Sequence, residues 1–347
     1  MIFSKPHILL LFLALIFIFA QSCNNKDSSH PVSASFESEQ LVPEGFPLIQ
    51  FPEDNPFTGL SYALGKKLFF DPILSRDSSI SCGSCHLPGK AFSDGNRVSF
   101  GVDNSEGTRN TPSLANIAYH PYFTRDGGVP TLEMQILVPI QEHNEFDFNI
   151  VLISERLKQR PEYVSMAREA YDREPDPFVI TRSIANFERT LISGNSDFDQ
   201  YYNQGITSAL NESEVRGMNL FFSDELACQS CHSGFDFTDY SFQNNGLYTS
   251  YPDSGRMRLT GSEADRAMFK VPSLRNVALT APYMHDGSMG TLEEVIDHYR
   301  SGGKENTNKS ELITGFELTG SEKADLIAFL EALTDYEFIS NENHQPN

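Results

Sequence analysis

Four cysteines fall in two matching settings, Cys82-Gly-Ser-Cys85-His86 and Cys228-Gln-Ser-Cys231-His232. Two thiols at that spacing reach the two vinyl groups of one porphyrin, and the histidine that follows is placed to coordinate iron. Paired cysteines also serve zinc sites and disulfides, but neither explains a histidine directly after both second cysteines. The pattern points to two covalent c-type haems. Cys82, Cys85, His86, Cys228, Cys231 and His232 are then the cofactor-binding residues, with His86 and His232 as iron ligands.

The elements that carry these motifs repeat. Lys67-Leu68-Phe69-Phe70 precedes the first motif and Asn219-Leu220-Phe221-Phe222 the second. A shift of 160 superposes residues 112–133 on 272–293 without a gap, and ten of 22 positions are identical. Two copies of one cytochrome-like unit follow, at 46–205 and 206–340, with 341–347 as a tail. Leu60, Leu64 and Leu68 have helical spacing that stops at Asp71-Pro72. Residues 178–193 form an amphipathic stretch ended by Gly194. Thr291-Leu-Glu-Glu294 and Thr319-Gly-Ser-Glu322 are capping boxes that open helices. No alternating strand pattern stands out. The expected fold is mainly α, two tandem cytochrome c-like domains, each with one covalent c-type haem.

Function turns on the iron face opposite each histidine: a filled face makes an electron carrier, and an open one admits peroxide. The helix opened by Thr291 delivers Tyr299 with His298 beside it, making Tyr299 the expected second ligand of the His232 haem. His298, Met284 and Met289 compete for that role. The shift of 160 puts Tyr299 over Pro139, which cannot bind iron, so the His86 haem is expected to be open. Gln135 lies one helical turn before Pro139 and Glu145 six residues after it. A carboxylate beside an open haem moves a proton between the peroxide oxygens; in a polar stretch such as 141–149, acids are also commonly just solvated.

With 347 residues, two domains are the natural prior. The formal charge of −21 argues against nucleic acid and anionic membrane surfaces as partners and favours solubility or a basic protein partner. Lys5 and His7 precede an apolar run, Ile8 to Ala20, then Gln21-Ser22-Cys23. This describes a signal peptide over 1–22 and a lipoprotein acylated at Cys23, the alternative being a plain secretory signal with an incidental cysteine. Residues 23–45 suit a flexible tether. The protein is thus expected to be exported, periplasmic or on the cell surface, touching the membrane only through its lipid anchor.

The paired motifs, the Gln135-x3-Pro139-x5-Glu145 spacing and Leu279-Thr-Ala-Pro-Tyr-Met-His285 together resemble the di-haem bacterial cytochrome c peroxidases and their relative MauG. The resemblance covers essentially all of the mature chain. It implies that Gln135, Pro139 and Glu145 line the distal pocket of a peroxide-reactive N-terminal haem, as its catalytic residues. Electrons for hydrogen peroxide would come through the C-terminal haem from a small redox protein such as a c-type cytochrome. It also implies a calcium ion between the haems, held by the Asn110 side chain and the carbonyls of Thr280 and Pro282. Alternatives are a MauG-like oxidase of a protein or organic substrate, and a non-catalytic di-haem electron carrier. Oligomeric state stays open, a homodimer included. Three departures stand out. No histidine lies between His86 and His120; Tyr299 stands where the peroxidases usually have Met, as in MauG; and Arg125-Asp126-Gly127 replaces the family's Trp-Asp-Gly in a chain without tryptophan. Electron passage between haems must then use another group, Tyr122 or Phe123, or no aromatic bridge.

Overall fold

The computed structural model describes residues 42–346. The expected signal segment, Cys23 and most of the tether lie outside the described residues. No described helix is long and apolar enough to cross a membrane.

The first half carries α1 (Gly59–Phe70), α2 (Cys82–Cys85), α3 (Leu132–Gln135), α4 (Leu137–Gln141), α5 (Ile150–Lys158), α6 (Pro161–Tyr171), α7 (Pro177–Glu188) and α8 (Asp197–Tyr202). The second carries α9 (Glu212–Phe221), α10 (Met257–Thr260), α11 (Leu292–Arg300), α12 (Gly320–Glu331) and α13 (Tyr336–Ser340). The described strands are β1 (Phe242–Gln243) and β2 (Phe269–Lys270), an antiparallel pair. The capping boxes at Thr291 and Thr319 form as expected, each hydroxyl accepting from the glutamate amide three residues on. Helix α1 ends at Phe70, before Pro72. Helix α7 stops at Glu188, earlier than its amphipathic pattern suggests. Tertiary hydrogen bonds compete there: Ser193 N–H donates to Asn116 Oδ1, and the amides of Gly194 and Asn195 donate to Asp335.

Two large hydrophobic cores form among the described residues, beside a small cluster of Ile117, Phe123, Leu132 and Ala185. One gathers Leu64, Leu68, Phe69, Phe92 and Phe187, the other Phe221, Phe237, Leu326 and Phe329. In each, the helix leading to a CxxCH motif crosses another at a glycine. A Cβ on Gly65 of α1 would lie 1.8 Å from the Ser183 carbonyl oxygen of α7, and one on Gly217 of α9 1.9 Å from the Asp325 carbonyl oxygen of α12. The helix backbones touch there, and only hydrogen fits.

The core boundaries differ from the expected 205/206 and 340/341 divisions. Helix α8 joins the second core through Phe198, because the buried Asp199 carboxylate accepts two hydrogen bonds from Arg275, at 2.7 and 2.9 Å. The chain end returns to the first half: Phe338 enters its core, and the buried His344 packs on Phe92 and Phe338. Short-range patterning carries no signal for such a return.

Replacing Gly65 or Gly217 with alanine should destabilise the protein by about 1–3 kcal/mol, read as a lowered melting temperature. Helix propensity alone favours alanine by about 1 kcal/mol, so a raised melting temperature would show that the crossings are not tight.

Candidate functional site

Each motif folds into one tight turn, with the histidine amide donating to the first cysteine's carbonyl at 2.9 Å in both copies. His86 Nδ1 lies 2.7 Å from the Phe92 carbonyl oxygen, and His232 Nδ1 lies 3.1 Å from that of Phe237. A carbonyl only accepts, so both imidazoles carry their proton on Nδ1 and keep the Nε2 lone pair for a metal. Phe92 and Phe237 are buried and hold positive φ angles of 61° and 51°. Burial further disfavours protonation of both imidazoles.

Both motifs open onto one cavity of about 980 Å³ that runs through both halves. It lies at the top of the size range of ligand pockets. Cys82, Cys85, Cys228 and Cys231 all line it, and none is in a disulfide. Burial pushes the Cys85 and Cys228 thiols up to about 11 and raises the Cys82 thiol well above its ordinary value. Protonated thiols are poor zinc ligands, and among the described residues no group of three His, Cys, Asp or Glu is placed to hold a metal ion. Two thiols and a metal-ready imidazole on a mostly apolar wall, twice over, fit two covalent haems.

The two ends of the cavity differ. On the His86 side, Thr131 caps α3 as Thr291 caps α11, but the helix path breaks at Ile136. Pro139 has no N–H to continue the ladder. After α4 the chain folds back, with Phe146 N–H on the Pro139 carbonyl, and this turn presents Glu145. Gly101 lets the turn pack closely, since a Cβ there would meet the Asn144 carbonyl oxygen at 2.2 Å. Gln135, Pro139 and Glu145 all line the cavity. The Gln135 Oε1 is buried without a hydrogen-bond partner. Glu145 is exposed and lines the cavity; the protein packed around it, and then nearby Glu142, push its carboxyl up to about 7. Glu188, which nothing in its helical pattern singled out, is a buried carboxyl on this wall, raised by burial to about 8.

On the His232 side α11 runs unbroken and brings Tyr299 to the cavity. Of its rivals, Met284 also lines the cavity, but its sulfur accepts from Asn245 Nδ2 at 3.3 Å. His298 Nε2 is engaged 3.0 Å from the Asn245 carbonyl oxygen, and Met289 pairs through its backbone with Tyr283. Asn245 organises this side, although its place in a polar run offered no cue. Burial raises the Tyr299 phenol, while the Asn245 side chain favours its ionised form.

Between the two sides, Asn110, Thr280 and Pro282 line the cavity as the calcium expectation required. The donor set does not fit a dication, however. Arg125 Nη2 donates to Asn110 Oδ1 at 2.8 Å and its Nε to the Asn110 carbonyl at 2.9 Å. A guanidinium already holds the side-chain oxygen that calcium would need. Tyr122 stacks on Phe242 at 5.5 Å between ring centroids, and Phe123 is buried on the cavity wall.

A family described as di-haem cytochrome c peroxidase matches residues 60–207. The methylamine utilization protein MauG of Methylorubrum extorquens is 39% identical over 312 residues, 88% of this chain and 86% of that one. The cytochrome c551 peroxidase of Nitrosomonas europaea is 33% identical over 308 residues, 87% of this chain and 88% of its own. A crystal structure of a MauG-like protein associated with microbial copper homeostasis superposes with a TM-score of 0.84 at 35% identity, over 88% of this chain and 98% of that one.

With two independent attachment motifs, protein produced alongside cytochrome c maturation machinery should keep two haems through acid-acetone extraction. Changing both Cys82 and Cys85 to Ala should leave one. Complete extraction from the unmodified protein rules out covalent attachment.

Proposed function

Because this chain belongs to the di-haem cytochrome c peroxidase family, we propose that it reduces hydrogen peroxide on the His86 side of its cavity, with electrons entering on the His232 side from an external donor such as a c-type cytochrome. The observation that carries this reading is the asymmetry of the repeat. Where one half brings a phenol to the cavity, the other brings Pro139, an unpartnered Gln135 oxygen and the Glu145 carboxyl. The bound haem supplies the redox centre that peroxide reacts with.

The chain's own residues supply proton control. Gln135 Oε1 is free to accept an O–H of peroxide or water. Glu145 takes the proton of the near oxygen on its carboxylate and returns it to the far oxygen, which leaves as water. A carboxyl near 7 exists in both forms at neutral pH, as this double task requires. The carboxylate form must act first, so reaction with peroxide should speed up as pH rises through about 7 and slow below it. Glu145→Gln should slow that reaction roughly 10²-fold or more and flatten the pH dependence, with both haems retained. Stopped-flow kinetics that match the unmodified protein would return Glu145 to a merely solvated role.

Tyr299 favours a second reading, a MauG-like oxidase of a protein or organic substrate. Tyrosinate donates negative charge and stabilises oxidised iron, which makes the second haem a poor acceptor from high-potential cytochromes. Turnover with peroxide against reduced cytochromes and small reductants separates the two readings. A plain electron carrier needs both iron faces filled, which Pro139 does not provide. On this proposal the protein works outside the cytoplasm, exported and anchored through Cys23.

The same asymmetry predicts the ferric spectra. Electron paramagnetic resonance of the oxidised protein should show one high-spin and one low-spin component, and Tyr299→Phe should abolish the low-spin one alone. Two low-spin signals, with no peroxide reaction before reduction, would falsify the open site.

A further inference from the structure

The two halves meet through positions related by the repeat shift of 160. Asn110 corresponds to Lys270 and Arg125 to His285. Asn110 N–H donates to the His285 carbonyl at 2.9 Å, and Lys270 N–H donates to the Arg125 carbonyl at 2.7 Å. The backbone contact is thus reciprocal, but its side chains are not. Lys270 Nζ turns to the Tyr122 carbonyl at 2.8 Å, whereas Arg125 turns its guanidinium onto both oxygens of Asn110. Asn110 Nδ2 donates to the Asn96 carbonyl at 3.1 Å, which fixes the amide with Oδ1 toward Arg125.

The junction therefore already contains positive charge. Among the described residues Arg125 forms no ion pair with a carboxylate; its hydrogen-bond acceptors are neutral oxygens. Burial and the neighbouring Arg109 lower it only to about 10, so it stays charged at neutral pH. Lys270 lies close enough for Arg125 to disfavour its charged form as well. Calcium sites gain their affinity from several oxygens, usually with carboxylates among them. Here the oxygens are neutral, the Asn110 Oδ1 among them is occupied, and a dication on it would sit in contact with a guanidinium.

We infer that Arg125 is the resident cation of this junction, its guanidinium taking the Asn110 side-chain oxygen that calcium would otherwise use, so that the protein works without a bound divalent ion. One residue thereby removes the aromatic ring expected between the haems and supplies the charge that neutral oxygens call for. This assignment rests on the two-haem reading only for its location.

The test is the calcium content and melting temperature of the holoprotein, incubated with calcium chloride or with EGTA and then desalted. The unmodified protein should retain no stoichiometric calcium, and its melting temperature should be the same in both treatments. Arg125→Gln, which frees Asn110 Oδ1 and removes the charge, should bind one calcium ion per chain and melt several degrees higher with calcium than with EGTA. Arg125→Lys keeps the cation and should stay calcium-free. One retained calcium ion per unmodified chain, or a melting temperature lowered by EGTA, overturns the assignment. A folded Arg125→Gln protein that binds no calcium overturns it as well. If that variant does not fold, the measurements on the unmodified protein still decide. None of these readouts depends on peroxide turnover, so failure here is distinct from failure of the proposed activity.

Discussion

Each CxxCH histidine presents Nε2 to the cavity only because its Nδ1–H is held by the carbonyl of a buried phenylalanine in the left-handed region. That conformation is uncommon for a bulky residue and needs support from its surroundings. The repeated Pro-Ser-Leu-x-Asn segment supplies it. Ser113 Oγ donates to the Ala91 carbonyl beside Phe92. In the second half Thr238, next to Phe237, donates to the Val271 carbonyl just before Pro272-Ser273. The asparagines at the ends of these segments act as matched clamps. Asn116 N–H donates to the Leu191 carbonyl while its Oδ1 accepts from Ser193 N–H; Asn276 does the same with Leu333 and Asp335. Asn116 also donates to Asp236, and Asn276 to Ser193 Oγ, so each clamp reaches into the other half.

A symmetric scaffold therefore carries an asymmetric pair of sites. Thr131 and Thr291 begin equivalent helices, and eight residues later one chain has Pro139 and the other Tyr299. Proline removes one N–H from the hydrogen-bond ladder, and the helix runs on to Gln141 before the chain turns back over its own carbonyls at Glu142, with Glu145 on the cavity wall. In the second half the ladder continues and a phenol reaches the wall. The residue type at this one position changes what each half brings to the cavity.

Charge is divided in a similar way. The chain is strongly acidic overall, with a formal charge of −21, yet the junction between its halves gathers Arg109, Arg125, Lys270 and Arg258 on the cavity wall. The buried Asp126 carboxylate balances part of this through Arg109 and Arg258. An acidic exterior suits approach by a basic redox partner. Interior cations suit a cofactor that carries carboxylates of its own.

Much of this was legible in the residues alone. The CxxCH spacing is set by porphyrin chemistry, the capping boxes by local hydrogen bonding, and the repeat by direct comparison, so the haem-binding residues, the helical class and the contrast of Pro139 with Tyr299 needed no coordinates. Glu145 was ambiguous, because a polar sequence looks the same whether it faces bulk water or a cavity; in the fold it is an exposed residue on the cavity wall. The roles of Asn245 and Glu188, the transfer of α8 to the second core, the return of Phe338 and His344 to the first, and the hold of Arg125 on Asn110 were decided only by tertiary structure. Each depends on groups far apart in sequence whose pairing energy has no local signature, and in the last case a substitution that looked like a missing aromatic ring proved to be a placed charge.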